Sequence, residues 1–255
     1  AAMKPSHVRG LRGAARGLWA CAAFRDRRRT TVFVCPTEKE ARAFHRDAVF
    51  FLGPGQAFSF PAWDWVSTDM FSFQREGELV RIEALCRLLD DAPAFIVTSA
   101  TALSQRMVSR EGFASTLRTV AIGDTLDRDE LAGFLLAGGY TRCTLVESKG
   151  EFAVRGHVVD LFPPMMDRAV RLEFVGDEIE SIREFDPRTQ RSAGERVDFR
   201  LAPVREIPLT EEAQMRALAN LRVRASELGL TRAVRERLVE KMSGHLITSV
   251  NPLFF

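Results

Sequence analysis

The chain has 255 residues, 46% of them hydrophobic, which is enough apolar material to give one to three domains a buried core. Its formal net charge is only +2, so it lacks the strongly basic balance of many nucleic-acid-binding proteins. No apolar run approaches the roughly 18 residues of a membrane-spanning helix, and the absence of a CxxC pair argues against a zinc site. Cys21, Cys35 and Cys86 lie in apolar stretches, so we expect buried free thiols, as in a cytoplasmic protein.

The first 115 residues alternate strand-like and helix-like segments. Short runs rich in β-branched and aromatic residues predict strands over residues 31–35, 57–60 and 94–98. Apolar residues at helical spacing predict helices over residues 18–24, 38–51, 76–89 and 101–108. Thr37, with Glu40 three positions later, matches a capping box. Strands that alternate with helices predict a parallel sheet covered on both faces.

After residue 115 the pattern changes to one helix followed by a series of short strands. The helix is predicted over residues 127–136. Strands are predicted over residues 144–146, 152–162, 169–175, 180–185 and 196–201, with turn residues between them. This series predicts an antiparallel sheet with one helix, and residues 211–228 and 232–242 are predicted to be helical again.

Residues 10–17 read GLRGAARG and fall where a phosphate-binding loop would lie, ahead of a helix. A working loop reads GxxxxGK[ST], because its glycines let backbone N–H groups wrap the phosphates, its lysine reaches them and its hydroxyl binds magnesium. Gly10 and Gly13 remain here, but Ala15 replaces the last glycine, Arg16 the lysine and Gly17 the hydroxyl residue. We therefore predict a non-functional loop that caps the helix.

No other catalytic pattern stands out. The four histidines are scattered, and neither GxSxG nor HExxH occurs. Residues 99–101, Ser-Ala-Thr, resemble a helicase motif, but we interpret them as the end of a strand followed by the start of a helix. The residues alone thus favour binding over catalysis, with no metal site.

The most distinctive stretch is GEFAVRGHVVDLFPP at residues 150–164, followed by VRLEFVGDEI at 170–179 and FDPRTQRS at 185–192. It resembles the UvrA-binding domain shared by the repair protein UvrB and the transcription-repair coupling factor (Mfd), which carry a form of GE(Y/F)xxRGxxxDxFP and (R)xEFFGDEIESI. UvrB has an intact phosphate-binding loop and a tyrosine-rich hairpin, whereas this chain has an altered loop and one tyrosine. The resemblance, over residues 8–255, is therefore to the N-terminal region of the coupling factors.

The resemblance implies an α/β chain of three parts. A degenerate P-loop helicase-like domain with a parallel sheet is expected at residues 1–115. An inserted α+β antiparallel UvrA-binding domain is expected at residues 116–206, and the start of a return segment at 207–255. The apolar end NPLFF at residues 251–255 suggests that the chain is cut from a longer protein.

The same resemblance implies an adaptor function. The segment would bind UvrA and recruit nucleotide excision repair to stalled RNA polymerase in the cytoplasm, without ATPase activity or a cofactor of its own. In the full-length family, a motor nearer the C terminus uses ATP and magnesium to move along double-stranded DNA and dislodge RNA polymerase.

Alternation along residues 169–175 predicts one core face and one outward face for this strand. Arg171, Glu173 and Val175 fall on the outward face. Arg155, which has no acidic neighbour in sequence, could be brought beside Arg171 by antiparallel pairing of their strands. Two arginines there could form an interface hot spot, since a guanidinium pairs bidentately with a carboxylate. The residues alone favour the other interpretation, a solvated face with an internal Arg171–Glu173 pair.

The resemblance assigns the contact with UvrA to three positions. They are the arginine of the RG motif, the arginine opening the xRxEFF segment, and the second phenylalanine of that segment. In this sequence they are Arg155, Arg171 and Val175, so a valine stands where the family pattern has an aromatic residue. Gly156 is expected to serve backbone geometry rather than contact.

Two other functions remain open from the sequence. One is a UvrB-like ATPase that acts at damaged DNA. The other is a non-specific DNA-binding scaffold that uses Arg25, Arg27, Arg28 and Arg29, although such a basic run more often caps the C terminus of a helix and stays solvated.

Overall fold

The computed structural model describes residues 7–63, 71–206 and 211–243. These residues form two compact units. Of the described residues, the first unit contains 7–63 and 84–105. The second unit contains 71–83, 106–206 and 211–243. The apolar end of the chain at residues 251–255 lies outside the described residues.

The helices and strands alternate along the first part of the chain, and strands dominate its middle. The helices are α1 (Ala15–Arg27), α2 (Glu38–Leu52), α3 (Phe71–Leu89), α4 (Ala100–Ser104), α5 (Arg110–Ala114), α6 (Arg128–Ala137), α7 (Glu211–Glu227) and α8 (Arg232–Ser243). The strands are β1 (Thr31–Cys35), β2 (Ala57–Phe60), β3 (Phe95–Ser99), β4 (Arg118–Ala121), β5 (Thr141–Arg142), β6 (Glu151–Arg155), β7 (Val158–Leu161), β8 (Ala169–Val175), β9 (Glu178–Phe185), β10 (Ser192–Arg196) and β11 (Asp198–Leu201).

The first unit contains a parallel sheet in the order β1-β3-β2, which confirms the predicted parallel pairing. The central strand β3 is buried at every position. The predicted cap at Thr37 is also confirmed, because the Glu40 backbone N–H donates to Thr37 Oγ1 at 3.2 Å, which is one half of a capping box. Cover on both faces is incomplete, since Val32 and Val34 of the edge strand β1 are exposed.

The helix predicted over residues 101–108 is shorter than expected. It ends at Ser104, because Gln105 has an extended backbone with ψ 147. The Gln105 side chain bonds instead to both backbone polar groups of Trp63, accepting from its N–H at 2.7 Å and donating to its carbonyl at 3.1 Å. Ser99 ends β3 and its side chain caps α4, so the interpretation of residues 99–101 is confirmed.

The second unit contains a six-stranded sheet in the order β10-β9-β8-β7-β6-β5 and a separate β11-β4 pair. All pairs in the larger sheet are antiparallel except β5 with β6, which is parallel. One face of this sheet packs in an apolar core with residues of α6, including Leu131 and Leu135. The prediction of an antiparallel sheet with one helix is therefore confirmed, with the short parallel strand β5 as an addition.

The prediction of a strand over residues 144–146 is wrong, because these residues form no strand in the structure. The backbone N–H groups of Glu147 and Ser148 both donate to Glu151 Oε2 at 2.9 Å, which turns the chain back before β6. The short strand in this region is β5, which ends at Arg142. A side chain that binds its neighbours' N–H groups competes with strand pairing, and apolar periodicity does not reveal it.

A buried ion pair joins α3 to the chain that follows β11. Arg81 and Glu206 are each 1% exposed. The guanidinium donates from Nε to Glu206 Oε2 at 2.7 Å and from Nη2 to Oε1 at 3.2 Å. Because both side chains have left water, the hydrogen bonds between them offset part of the cost of burying their charges.

Replacing Glu206 with glutamine should lower the free energy of unfolding by about 3–5 kcal/mol, because it removes the buried carboxylate that accepts both of these hydrogen bonds from Arg81. Urea unfolding of the whole chain measures the change. The control is Arg224→Ala, which removes a surface pair with Glu227 in α7 and should cost less than about 1 kcal/mol. Equal effects of the two changes would contradict a special role for the buried pair.

Candidate functional site

A two-residue turn fixes the register of the hairpin formed by β6 and β7. Arg155 and Val158 are paired across the strands, with only Gly156 and His157 between them. Gly156 has φ 59, a left-handed conformation that glycine adopts without steric cost. Its expected role in backbone geometry is therefore confirmed. The same register places Asp160 opposite Ala153, so Asp160 shares a sheet face with Arg155.

The next strand brings a second arginine to the same carboxylate. Arg171 of β8 is the direct partner of Asp160 across the β7–β8 ladder. Arg171 donates from Nε to Asp160 Oδ1 at 2.7 Å and from Nη2 to Oδ2 at 2.9 Å. Arg155 donates from Nη2 to Asp160 Oδ2. We call these three residues, Arg155, Asp160 and Arg171, the arginine network.

The arginine network has a buried centre and an accessible rim. The Asp160 side chain is 1% exposed, whereas those of Arg155 and Arg171 are 47% and 26% exposed. The guanidinium carbon of Arg171 also lies 5.0 Å from the centre of the Phe185 ring, within cation–π range. The hydrogen bond to Asp160 raises the pKa of Arg171 further above its ordinary value, against the opposing effect of desolvation. Arg171 is thus held charged and restrained at the surface.

Arg155 and Arg171 lie near each other, but not by the direct pairing of their strands that was predicted. Their strands β6 and β8 are not adjacent, because β7 lies between them and carries Asp160. The alternative prediction, an ion pair between Arg171 and Glu173, is wrong, because Arg171 binds Asp160. Glu173 Oε2 instead accepts from Ser181 Oγ at 2.6 Å and lies 3.4 Å from Arg183 Nη2. The ion pairs therefore follow strand register rather than proximity in sequence.

Val175 ends β8 on the outward face, as alternation predicts. Its exposed fraction is 62%, while Phe174 beside it is buried. The turn after it has the same form as the first, with Gly176 at φ 63 and Val175 paired with Glu178. Since β6 and β8 run in the same direction, Arg155 and Val175 lie at the same end of the sheet.

Asp160, which joins the two arginines, is not among the site residues predicted from the sequence. It stands in the quoted motif as an unremarked acid, five residues after Arg155. A signal was available, because a two-residue turn at Gly156-His157 forces Ala153 opposite Asp160. Counting the ladder from that turn places the carboxylate on the face of Arg155.

Residues 10–17, predicted to be a non-functional phosphate-binding loop, lead into the first turn of α1. Gly10 and Gly13 have positive φ, and Ala15 is the first residue of α1. The N–H groups of Ala15 and Arg16 donate to the carbonyls of Arg12 and Gly13, at 3.1 and 3.4 Å. In a working loop, donors at this place would face phosphate oxygens.

The remaining loop positions are also used within the first unit. Arg16 Nη1 lies 3.9 Å from Glu40 Oε2, in a partly exposed pair. Gly17 is buried, and a Cβ added there would lie 3.2 Å from Asp47 Cβ and 3.4 Å from Phe51 Cε2. Gly17 thus allows close approach of α1 and α2 at the position where a working loop carries its hydroxyl.

The basic run after α1 behaves as a helix end. Arg25 and Arg27 lie in the last turn of α1, and Arg28 is its C-terminal cap with φ 48. Arg25 Nη2 donates to the Phe51 carbonyl at 2.7 Å. This placement is the one favoured by the helix dipole, so it gives no separate support to a DNA-binding role.

Three of the four cysteines are core residues, as predicted. Cys21, Cys35 and Cys86 are buried, and burial raises the pKa of the Cys21 and Cys35 thiols. Among the described residues, no three His, Cys, Asp or Glu side chains are grouped so that they could hold a metal ion. Across the same part of the chain, no helix has both the length and the hydropathy needed to cross a membrane.

Comparison with known proteins now identifies the sheet that carries the arginine network. Residues 119–206 match the model of the UvrB interaction domain family. The chain is 36% identical to the transcription-repair-coupling factor of Myxococcus xanthus over 97% of its length. It carries a UvrB interaction domain inside a segment homologous to transcription-repair-coupling factors. Arg155, Asp160, Arg171 and Val175 all lie within this domain, whereas the loop at residues 10–17 lies outside it.

Two other transcription-repair-coupling factors are also similar to this chain. The chain is 34% identical to the transcription-repair-coupling factor of Mycobacterium bovis over 80% of its length. It is 22% identical to that of Bacillus subtilis over 98% of its length. The chain spans about a fifth of the length of these curated relatives, 22%, 17% and 21% respectively.

Replacing Gly156 with alanine should destabilise the UvrB interaction domain by about 1–2 kcal/mol, because a Cβ is disfavoured at positive φ. A Cβ there would meet nothing within 4 Å, so the cost is conformational alone. The matched control is Gly133→Ala in α6, which also has open space and should instead stabilise by roughly 0.5–1 kcal/mol. Thermal and urea unfolding measure both, and the same sign for both changes would refute this account of the turn.

Proposed function

We propose that the UvrB interaction domain of this chain is an adaptor that binds UvrA through Arg155, Arg171 and Val175. The observation that carries the proposal is the arginine network, in which two partly exposed guanidinium groups are anchored on one buried carboxylate. Such a restrained pair is suited to receive carboxylates of a partner protein, since the fork of a guanidinium matches a carboxylate. Val175 adds a small exposed apolar contact where the family pattern has an aromatic residue.

In the whole protein this adaptor would recruit nucleotide excision repair to stalled RNA polymerase in the cytoplasm. The longer protein would then have RNA polymerase and double-stranded DNA as further partners, with ATP and magnesium used by a motor outside this segment. The similarity to transcription-repair-coupling factors over nearly the whole chain supports this assignment.

We further propose that residues 1–115 are a degenerate helicase-like domain that binds no nucleotide and needs no cofactor. Residues 116–206 would be the inserted adaptor domain, and residues 207–255 the start of a return segment. Support for the lost nucleotide site comes from Gly13, Ala15, Arg16 and Gly17, whose backbone bonds, ion pair and close packing lie within the chain around α1 and α2.

Arg155→Ala and Arg171→Ala should each weaken binding of UvrA by about 1–3 kcal/mol, as truncation of interface hot spots does. Isothermal titration of UvrA with the whole chain measures the loss. Each change also removes a counter-charge from Asp160, so urea unfolding is run in parallel to separate affinity from stability.

The matched control for these variants is Arg196→Ala. Arg196 is a partly exposed arginine of the same sheet, ion-paired with Glu184, but it is paired in register with Ile182 of the core face. Its removal should leave the affinity for UvrA within about twofold of the parent, as expected outside a hot spot. Equal losses for all three variants, or none for Arg155 and Arg171, would refute the proposed binding face.

Titration of the chain with magnesium-ATP should give no saturable heat at micromolar nucleotide, because the loop donors and Arg16 are already paired within the protein. UvrB, with an intact phosphate-binding loop, is the positive control. Saturable, magnesium-dependent binding to this chain would instead favour a UvrB-like ATPase.

A further inference from the structure

We propose that Asp160 is a positioning residue of the adaptor face. It would set the orientation of Arg155 and Arg171 so that their remaining N–H donors meet a carboxylate of the partner. The inference rests on the proposed function, because it assigns the means by which that same face is held ready for binding. Asp160 itself lies too deep to touch a partner, at 1% exposure.

The first support is the location of the carboxylate. A buried carboxylate is unfavourable unless it is paired and hydrogen-bonded. Both oxygens of Asp160 accept hydrogen bonds, Oδ1 from Arg171 and Oδ2 from both arginines. On the same face, Ala153, directly opposite Asp160, belongs to an apolar cluster. A charge at this depth is therefore explained by the two arginines above it rather than by the packing around it.

The second support is the way Arg171 is bound. Its Nε and Nη2 donate to Asp160, which occupies one edge of the guanidinium and leaves the Nη1 donors for another acceptor. The ring of Phe185 restrains the same group from a second direction. An arginine ordered before binding loses less side-chain entropy when the partner arrives.

The third support is the charge of the network. Two guanidinium groups and one carboxylate leave a net charge of +1 at the surface, carried by the exposed members. The carboxylate offsets the repulsion between the arginines and keeps them side by side. The partner chemistry that fits is an acidic side chain, because a planar fork and an excess positive charge both favour a carboxylate.

The test is a double-mutant cycle with UvrA and the whole chain. Asp160→Asn keeps the size of the side chain but removes its charge and one acceptor. We expect this change alone to weaken UvrA binding about tenfold, and to add less than about threefold in the Arg171→Ala background, because residues in one network are not additive. A merely structural role would give the same factor in both backgrounds.

A second measurement does not depend on how well the variant folds. In the parent chain labelled with ¹⁵N, the Nε–H of Arg171 should give a resolved signal that exchanges slowly with water, because Asp160 accepts from it. A rapidly exchanging Arg171 Nε–H in the parent would overturn the positioning role, even if Asp160→Asn were too unstable to titrate.

The outcomes separate the two proposals. Unchanged UvrA binding in Arg155→Ala and Arg171→Ala would overturn both the adaptor face and the role of Asp160. If the arginines matter but Asp160→Asn binds as well as the parent, or weakens binding by the same factor in the parent and in the Arg171→Ala background, only the positioning role fails. Tighter binding by Asp160→Asn would likewise overturn it, because Asp160 would then be competing with the partner for the arginines.

Discussion

The carboxylate of Asp160 lies beneath the outward face of the six-stranded sheet, between strands that carry Arg155 and Arg171. Because this carboxylate is buried, its charge is stabilised by pairing with both guanidinium groups. The same charge holds the two guanidinium groups in place. The two-residue turn at Gly156-His157 sets the register between Arg155 and Asp160, and the β7–β8 ladder places Arg171 opposite Asp160. The geometry of the candidate site thus follows from two strand registers and one buried charge.

The two units of the chain use similar residues for different ends. In the first unit, a loop with the spacing of a phosphate site has its donors and its arginine paired within the protein. In the UvrB interaction domain, Arg155 and Arg171 are paired with the buried Asp160 and still have N–H donors at the surface. The difference lies in burial, since a fully buried carboxylate can anchor a cation whose other edge remains accessible.

Local patterns predicted most elements because their physical causes are local. The strand at residues 169–175 and the capped helix after Thr37 have the expected starts, since alternation and capping act within a few residues. One error is the single strand predicted over residues 152–162, which the turn at Gly156-His157 divides into β6 and β7. Two others fall where a side chain binds a backbone group. Gln105 ends a helix by bonding to Trp63, and Glu151 turns the chain where a strand was predicted.

The sequence by itself determined the alternating elements of the first unit, the strand-rich second unit, and which side of β8 faces outward. It also placed Arg155, Arg171 and Val175 in a recognisable motif, because a motif is a property of adjacent residues. Only the tertiary structure decided that β7 lies between the two arginine strands and that Asp160, rather than Glu173, binds Arg171. It also decided the buried partnership of Arg81 with Glu206, residues far apart in the chain. Ion pairs of this kind depend on strand register and burial, which arise only when distant segments pack together.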